Sequence, residues 1–113
     1  MSQDMKSCVL VVLSNPVAGK DDEYNAWYTK QHLPDVLRVP GFKAARRFSF
    51  AGAGETQWKY MAIYEFEAAD PAQALAALAA RAGTPDMVIS SAFDMGSVQM
   101  VPWVAITDRV SAA

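Results

Sequence analysis

The sequence predicts an α+β fold in the order βαββαβ, one antiparallel sheet with two helices on one of its faces. Three observations lead there. Four stretches read as strands, by β-branched content or by alternation of apolar residues. Two stretches with helical signatures separate them, one before the second strand and one after the third. The chain has 113 residues, 52% of them apolar or aromatic, which suits one core and is too short for two, so residues 1–113 are expected to form a single domain.

Residues 1–6 are polar and expected to be loose. Ser7 to Ser14 (SCVLVVLS) is apolar without interruption and strand-length, which predicts a strand covered on both faces. Asn15 to Gly19 follows as a loop, and Asp21 and Asp22 supply an N-cap and first-turn negative charge for a helix. At about 100° per residue, Tyr24, Trp27, Tyr28, Gln31, His32 and Asp35 fall on one side of that helix, away from Ala26, Thr29, Lys30 and Leu33. Pro34 lacks an N–H and its ring clashes with the Lys30 carbonyl, so a kink or restart is expected just after His32. Pro40-Gly41 ends the helix.

Phe42 to Phe50 then alternates, with Phe42, Ala44, Arg46, Phe48 and Phe50 on one face and Lys43, Ala45, Arg47 and Ser49 on the other. After the turn AGAGETQ, Trp58 to Phe66 alternates again and completes a hairpin. Asp70-Pro71 opens a second helix by the cap-then-proline signature, with Leu75 and Leu78 on its buried side and Gly83-Thr84-Pro85 at its end. Asp86 to Asp94 fits either a short helix or a loop. Met95 to Ile106 reads as the last strand, and Pro102 within it argues for an edge or a bulge. The tail TDRVSAA is expected to be disordered.

The order is that of ferredoxin-like folds. Helices cover one face of such a sheet, yet the first, third and fourth strands carry apolar residues on both. Left bare, the second face would be a larger apolar patch than soluble monomers tolerate. A homodimer whose two sheets pack face to face into an α/β barrel resolves this, with a two-fold interface.

Composition excludes several roles. The net charge of −2, with no basic stripe, leaves no footprint for nucleic acid. Cys8 is the single cysteine and lies in an apolar run, so it reads as a buried, inert thiol. The run Cys8 to Leu13 is too short for a signal-peptide core or a membrane span, so a cytoplasmic protein without a membrane partner is expected. One histidine without a cysteine or carboxylate cluster makes no dedicated metal site, and no nucleotide or flavin motif occurs; no cofactor is expected.

Chemistry concentrates between Tyr24 and Phe48. His32 can act as a general acid or base, since an imidazole titrates near neutral pH, or can hydrogen-bond backbone freed at the proline. Tyr28 and Asp35 lie about one turn to either side, and either could orient it. Trp27 and Tyr24 fill core or line a pocket, and Asn25 is placed to bind a ligand carbonyl or to face solvent. Arg46 on an aromatic strand face needs an anion: a ligand carboxylate or phenolate, or an ion pair with Asp94, Asp35 or Glu65. Tyr60 and Tyr64, with Trp58, Phe48 and Phe66, form an aromatic wall that could stack a flat ligand or simply pack the sheet.

The run NPVAGKDDEYNAWYTKQHLPDVLRVPGFKAARRF, residues 15–48, resembles the EthD-like branch of the dimeric α/β-barrel superfamily, with its WY…HLPD-type helix followed by PGF and a basic strand. The resemblance implies the same fold and homodimer, and a first-helix histidine that points into a pocket between helices and sheet. It spans cofactor-free oxygenases, cyclases, isomerases, haem-degrading enzymes and proteins of no known activity. Together with the residues it gives the expected function: a cofactor-independent enzyme, of lyase, isomerase or cyclase type, moving a proton with His32 and Tyr28 on a small apolar, aromatic or polyketide-like molecule. A cofactor-free oxygenase and a non-catalytic small-molecule-binding or accessory dimer are the alternatives.

Overall fold

A computed structural model describes residues 4–113 of the chain; the expectation for residues 1–3 lies outside them. The elements are β1 (Lys6–Ser14), a long helix in three segments, α1 (Asp21–Trp27), a wide π-helical turn (Tyr28–His32) and α2 (Leu33–Leu37), then β2 (Phe42–Ser49), β3 (Tyr60–Ala68), α3 (Pro71–Arg81) and β4 (Gln99–Val104). The sheet is antiparallel throughout, in the order β2-β3-β1-β4. This is the α+β, ferredoxin-like arrangement expected from the sequence.

One face of the sheet meets the helices. Cys8, Leu10 and Val12 of β1 and Ala62, Tyr64 and Phe66 of β3 are buried there with Tyr24, Tyr28 and Val36 of the long helix and Leu78 of α3. The molecule is 22 Å through its thinnest direction, room for one sheet and one helical layer at about 10 Å each. On the opposite face Val9, Val11, Leu13, Met61, Ile63 and Val101 are only half-buried, and Phe48 and Trp103 are 37% and 58% exposed. Among the described residues nothing covers them.

The first helix differs from its sequence expectation in an informative way. Helical backbone angles run without interruption through Tyr28, His32 and Leu33, so there is no break at Pro34. The turn before the proline is instead widened, with the Leu33 N–H reaching back five residues to the Tyr28 carbonyl. Widening lets the chain pass the ring that would otherwise strike the Lys30 carbonyl. At the start, Lys20 occupies the N-cap without a side-chain bond, and Asp21 and Asp22 lie in the first turn rather than capping it.

β2 departs from the strict alternation that its sequence suggests. Phe42 pairs with Phe66, but Ala44 pairs with Glu65, so Lys43 is an extra residue that bulges out of the ladder. From there on the strand is shifted by one, which exchanges its faces. Ala45 and Arg47 therefore join Tyr64 and Ala62 beneath the helices, while Arg46 and Phe48 lie opposite Ile63 and Met61 on the uncovered face. The turn that feeds the bulge depends on Gly41, whose φ is +92° and whose absent Cβ would fall 2.7 Å from the Glu67 carbonyl oxygen.

The bulge carries a direct prediction. The Arg47 guanidinium donates to Asn25 Oδ1 (2.7 Å) and Thr29 Oγ1 (2.9 Å) and lies over the ring of Tyr28, whereas Arg46 is exposed. Arg47→Met is expected to cost about 2–4 kcal/mol through lost hydrogen bonds and cation–π contact, and Arg46→Met within about 0.5 kcal/mol of zero. Urea unfolding of the two variants measures the difference, and equal costs would contradict the bulged register.

Asp70 caps α3 through the Ala72 N–H (3.1 Å), as its sequence signature requires. Residues 83–98 form no helix; they cross the sheet's helical side in turns, pinned by an isolated bridge between Pro16 and Phe93. β4 is shorter than the expected Met95 to Ile106 and sits at the sheet edge. The Ala105 N–H to Ser7 carbonyl bond makes Cys8 and Val104 a non-hydrogen-bonded pair. Leu10 and Pro102, two positions along, form the next such pair, so the proline's missing N–H falls where none is needed. Residues after Val104 carry no helix or strand and are exposed.

Candidate active site

Between the long helix, α3, residues 83–98 and the sheet lies a cavity of about 290 Å³. Leu10 and Val12 form its floor with Tyr64; Trp27, Tyr28, His32 and Val36 form one wall; Leu75, Leu78, Ala79 and Ala82 of α3 form another; Met87, Ile89, Phe93, Met95, Val98 and Met100 close it. No Asp, Glu, Lys or Arg lines it. Its polar groups are an imidazole, two phenols and an indole.

The wide turn creates the geometry around His32. Residues five apart lie about 140° around an α-helix, but in the wider turn His32 stacks on Trp27, with centroids 4.7 Å apart and planes within 26°. Its edge-to-face partner is Tyr28, at 5.1 Å and 90°. Neither Tyr28 nor Asp35 hydrogen-bonds the imidazole. Tyr28 instead receives a hydrogen bond from the Tyr64 hydroxyl (3.1 Å), and Asp35 pairs with Arg38. The His32 Nδ1 is buried without a partner.

Burial lowers the His32 pKa to about 4, with Asp35 pulling weakly the other way. The imidazole is therefore neutral at physiological pH. Burial also pushes the Tyr28 hydroxyl up to about 12 and Tyr64 well above its usual value, so both phenols hold their protons. The wall thus pairs a neutral nitrogen base with a protonated phenol pair in which Tyr64 donates to Tyr28.

The depressed His32 value fixes the sign of a pH effect. In the unfolded chain the imidazole binds its proton near pH 6.5, in the folded one near 4, so its share of stability is complete above 6.5 and is lost as pH falls toward 4. Between pH 7.5 and 5 the loss is about 2 kcal/mol. His32→Leu is expected to flatten that part of the stability profile, measured by urea unfolding at the two pH values.

Of the residues singled out in the sequence, Trp27, Tyr28, His32 and Tyr64 line the cavity. Asn25 and Tyr60 lie outside it, in an adjoining polar network: Asn25 accepts from Arg47 and donates to the Tyr60 hydroxyl (3.2 Å), which in turn donates to Asp21 (3.3 Å). Arg46 and Phe48 are on the far face of the sheet, and Arg46 forms no ion pair among the described residues. Arg47 takes the place expected of Arg46, with its charge over the rings of Tyr28 (4.6 Å), Tyr24 (5.4 Å) and Tyr60 (5.6 Å). The α3 alanines and the methionines of residues 87–100 were invisible as lining because no local pattern distinguishes a cavity wall from filled core.

No family model matches the chain, and no curated protein does. Solved structures do match. The haem-degrader MhuD from Mycobacterium tuberculosis, with two haems in its active site, is 20% identical with a TM-score of 0.59, over 91% of this chain and 99% of that one. A monooxygenase-like protein from Shewanella loihica PV-4 is 15% identical with a TM-score of 0.58, over 95% and 99%. An ethyl tert-butyl ether degradation (EthD) family protein from Bacillus halodurans C-125 is 13% identical with a TM-score of 0.52, over 87% and 96%. These likenesses extend over nearly the whole of each chain, and the fold they show is the ferredoxin-like one, which this chain shares with the EthD family protein.

Proposed function

We propose that the chain is a small-molecule enzyme in which a hydroxyl-bearing apolar substrate donates its O–H to His32, the proton passing to the imidazole as a substrate carbon bonds dioxygen and from there to the peroxide so formed. The observation that carries this reading is the neutral imidazole, with its unpartnered buried nitrogen, in the wall of a cavity free of charged side chains. A neutral imidazole has one lone-pair nitrogen and accepts a proton from a phenol or enol that donates to it. A half-turn about the Cβ–Cγ bond exchanges the positions of Nδ1 and Cδ2 while keeping the ring plane against Trp27, so either nitrogen can meet the ligand. Apolar walls suit both a flat substrate and dioxygen, and the volume suits a molecule of one or two rings rather than a larger one.

The monooxygenase-like neighbour supports the oxygenase reading over the lyase, isomerase or cyclase reading. The latter draws on one observation, the protonated Tyr28–Tyr64 pair, which could return a proton to a neighbouring carbon. Aerobic and anaerobic incubation with a panel of phenols, naphthols and aromatic 1,3-diketones separates the two: turnover with oxygen uptake that stops under nitrogen supports the oxygenase, and oxygen-independent turnover the alternative. Ligand binding without turnover in either gas would instead mark an accessory binding protein.

A haem does not fit these residues. No Lys or Arg lines the cavity to meet propionates, and His32 Nδ1 lacks the acceptor that orients an axial imidazole. The proposed chemistry uses no step through one.

The unit that works is proposed to be a homodimer. The apolar side chains of the sheet's second face support it, since a second copy packed on that face would remove them from water. The cavity lies on the other side of the sheet, walled by residues of one chain. No helix among the described residues is long and apolar enough to cross a membrane.

A further inference from the structure

Residues 83–98 close the cavity, and two indoles fasten them to the rest of the molecule. The Trp58 Nε1–H donates to the Ser97 carbonyl (2.7 Å), close to β4. The Trp27 Nε1–H donates to the Val88 carbonyl (3.0 Å), near the middle of the closing wall. Main-chain bonds hold the segment further on, from Val17 N–H to the Ala92 carbonyl (2.7 Å) and from Asp94 N–H to the Asn15 carbonyl (3.1 Å). Between Gly83 and Ser91 the ties to the long helix are side-chain ones, from Trp27 and, at 3.4 Å, from Arg38 to the Asp86 carbonyl. The same Trp27 ring carries His32 on its face.

We propose that Trp27 is the positioning residue of the site: its indole N–H holds residues 83–91 over the cavity while its ring face holds His32, so that closing the cavity and desolvating the base are one event. Opening removes the carbonyl partner of the indole and admits water to the imidazole. Closing restores both. The coupling depends on the wide turn, since only there do residues 27 and 32 meet face to face. Its bearing on turnover rests on His32 being the proton acceptor, but the coupling itself is measurable without substrate.

Linkage makes it quantitative. His32 binds a proton more readily when open and hydrated than when closed, so protonation draws the segment open, and each tenfold gain in opening raises the His32 midpoint by at most one pH unit. The ionisable groups facing His32 are Tyr28 and Asp35 on its own helix and Tyr64 on β3; α3, β1, β4 and residues 83–98 present no charged side chain to the cavity.

The test uses the single histidine, whose ring gives one set of NMR signals, with amide hydrogen exchange read in parallel. Trp27→Phe keeps a stacking ring and removes the N–H. Exchange at Met87 to Ser91 is expected to quicken about two- to tenfold, the worth of one hydrogen bond, and the His32 midpoint to rise from about 4 by a few tenths to one unit. Trp58→Phe, which loosens the far end, is expected to leave the His32 midpoint unchanged. Faster exchange without a change at His32, no change in either, or an equal rise in Trp58→Phe would each overturn the proposal. Trp27→Ala, which also removes the stack, should raise the midpoint further; should it fail to fold, the phenylalanine variant still decides. None of these readings involves turnover, so failure of the proposed oxygen chemistry and failure of the coupling are told apart.

Discussion

His32→Ala is expected to lower turnover by about 10²- to 10⁴-fold, the usual worth of a positioned general base, while the fold survives. The imidazole makes no hydrogen bond through Nδ1 and is only half-buried, so its removal costs stacking against Trp27 and Tyr28 rather than a polar network. Oxygen uptake with an accepted substrate measures the loss, and circular dichroism and urea unfolding confirm that it is chemical. His32→Gln, which can accept a hydrogen bond without becoming a useful base, should bind substrate and fail to turn it over. Unchanged turnover in either variant would remove His32 from the mechanism and leave the Tyr28–Tyr64 pair as the nearest candidate. Wild-type turnover should itself fall as pH drops below about 4, where His32 becomes charged.

Val11→Lys is expected to abolish the proposed dimer. Val11 pairs with Ile63 on one side and Val101 on the other, near the centre of the uncovered face. A lysine there stays solvated in the single chain and costs little, but in a face-to-face sheet packing it would bury two charges without partners, worth several kcal/mol. Sedimentation at micromolar concentration should change from dimer to monomer with β-sheet content retained. A wild-type protein that sediments as a monomer would contradict the assembly and leave the apolar face for another partner. Because the cavity is walled by one chain, a monomeric variant should still bind ligand.

How far the sequence reached depended on whether information was local. Alternation in β3, the Asp70-Pro71 cap and the apolar run of β1 are each written in consecutive residues, and the fold followed from their order. Pro102 at the sheet edge was legible for the same reason, since a missing N–H allows few places. The bulge at Lys43 was not. Both Arg46 and Arg47 suit either face, and the choice between them is made by pairing with β3, fifteen or more residues away. Pro34 announced trouble in the helix, yet whether the chain breaks or widens its turn depends on what buries the flanking residues. Tyr28, Val36 and Val39 are nearly inaccessible to solvent, and a break would expose them. The stack of His32 on Trp27 follows from that choice. A helical wheel places the two on one side but not in contact.

The cavity's closing wall was the least legible part. Residues 83–98 have no period and take their course from bonds to Asn15, Val17, Trp27 and Trp58, all distant in sequence. Cys8 was simpler: buried among β1 neighbours, its thiol is pushed up by desolvation and stays protonated.

The most direct measurement is an NMR titration of His32, alone and with 2-naphthol. A midpoint near 4 is expected in the free protein, far below the ordinary 6.5, with ring signals that shift when the naphthol enters the cavity and meets the imidazole. A midpoint near 6.5 that no hydroxyaromatic ligand disturbs would contradict it, for the histidine would then be a solvated surface group and the cavity would hold no base.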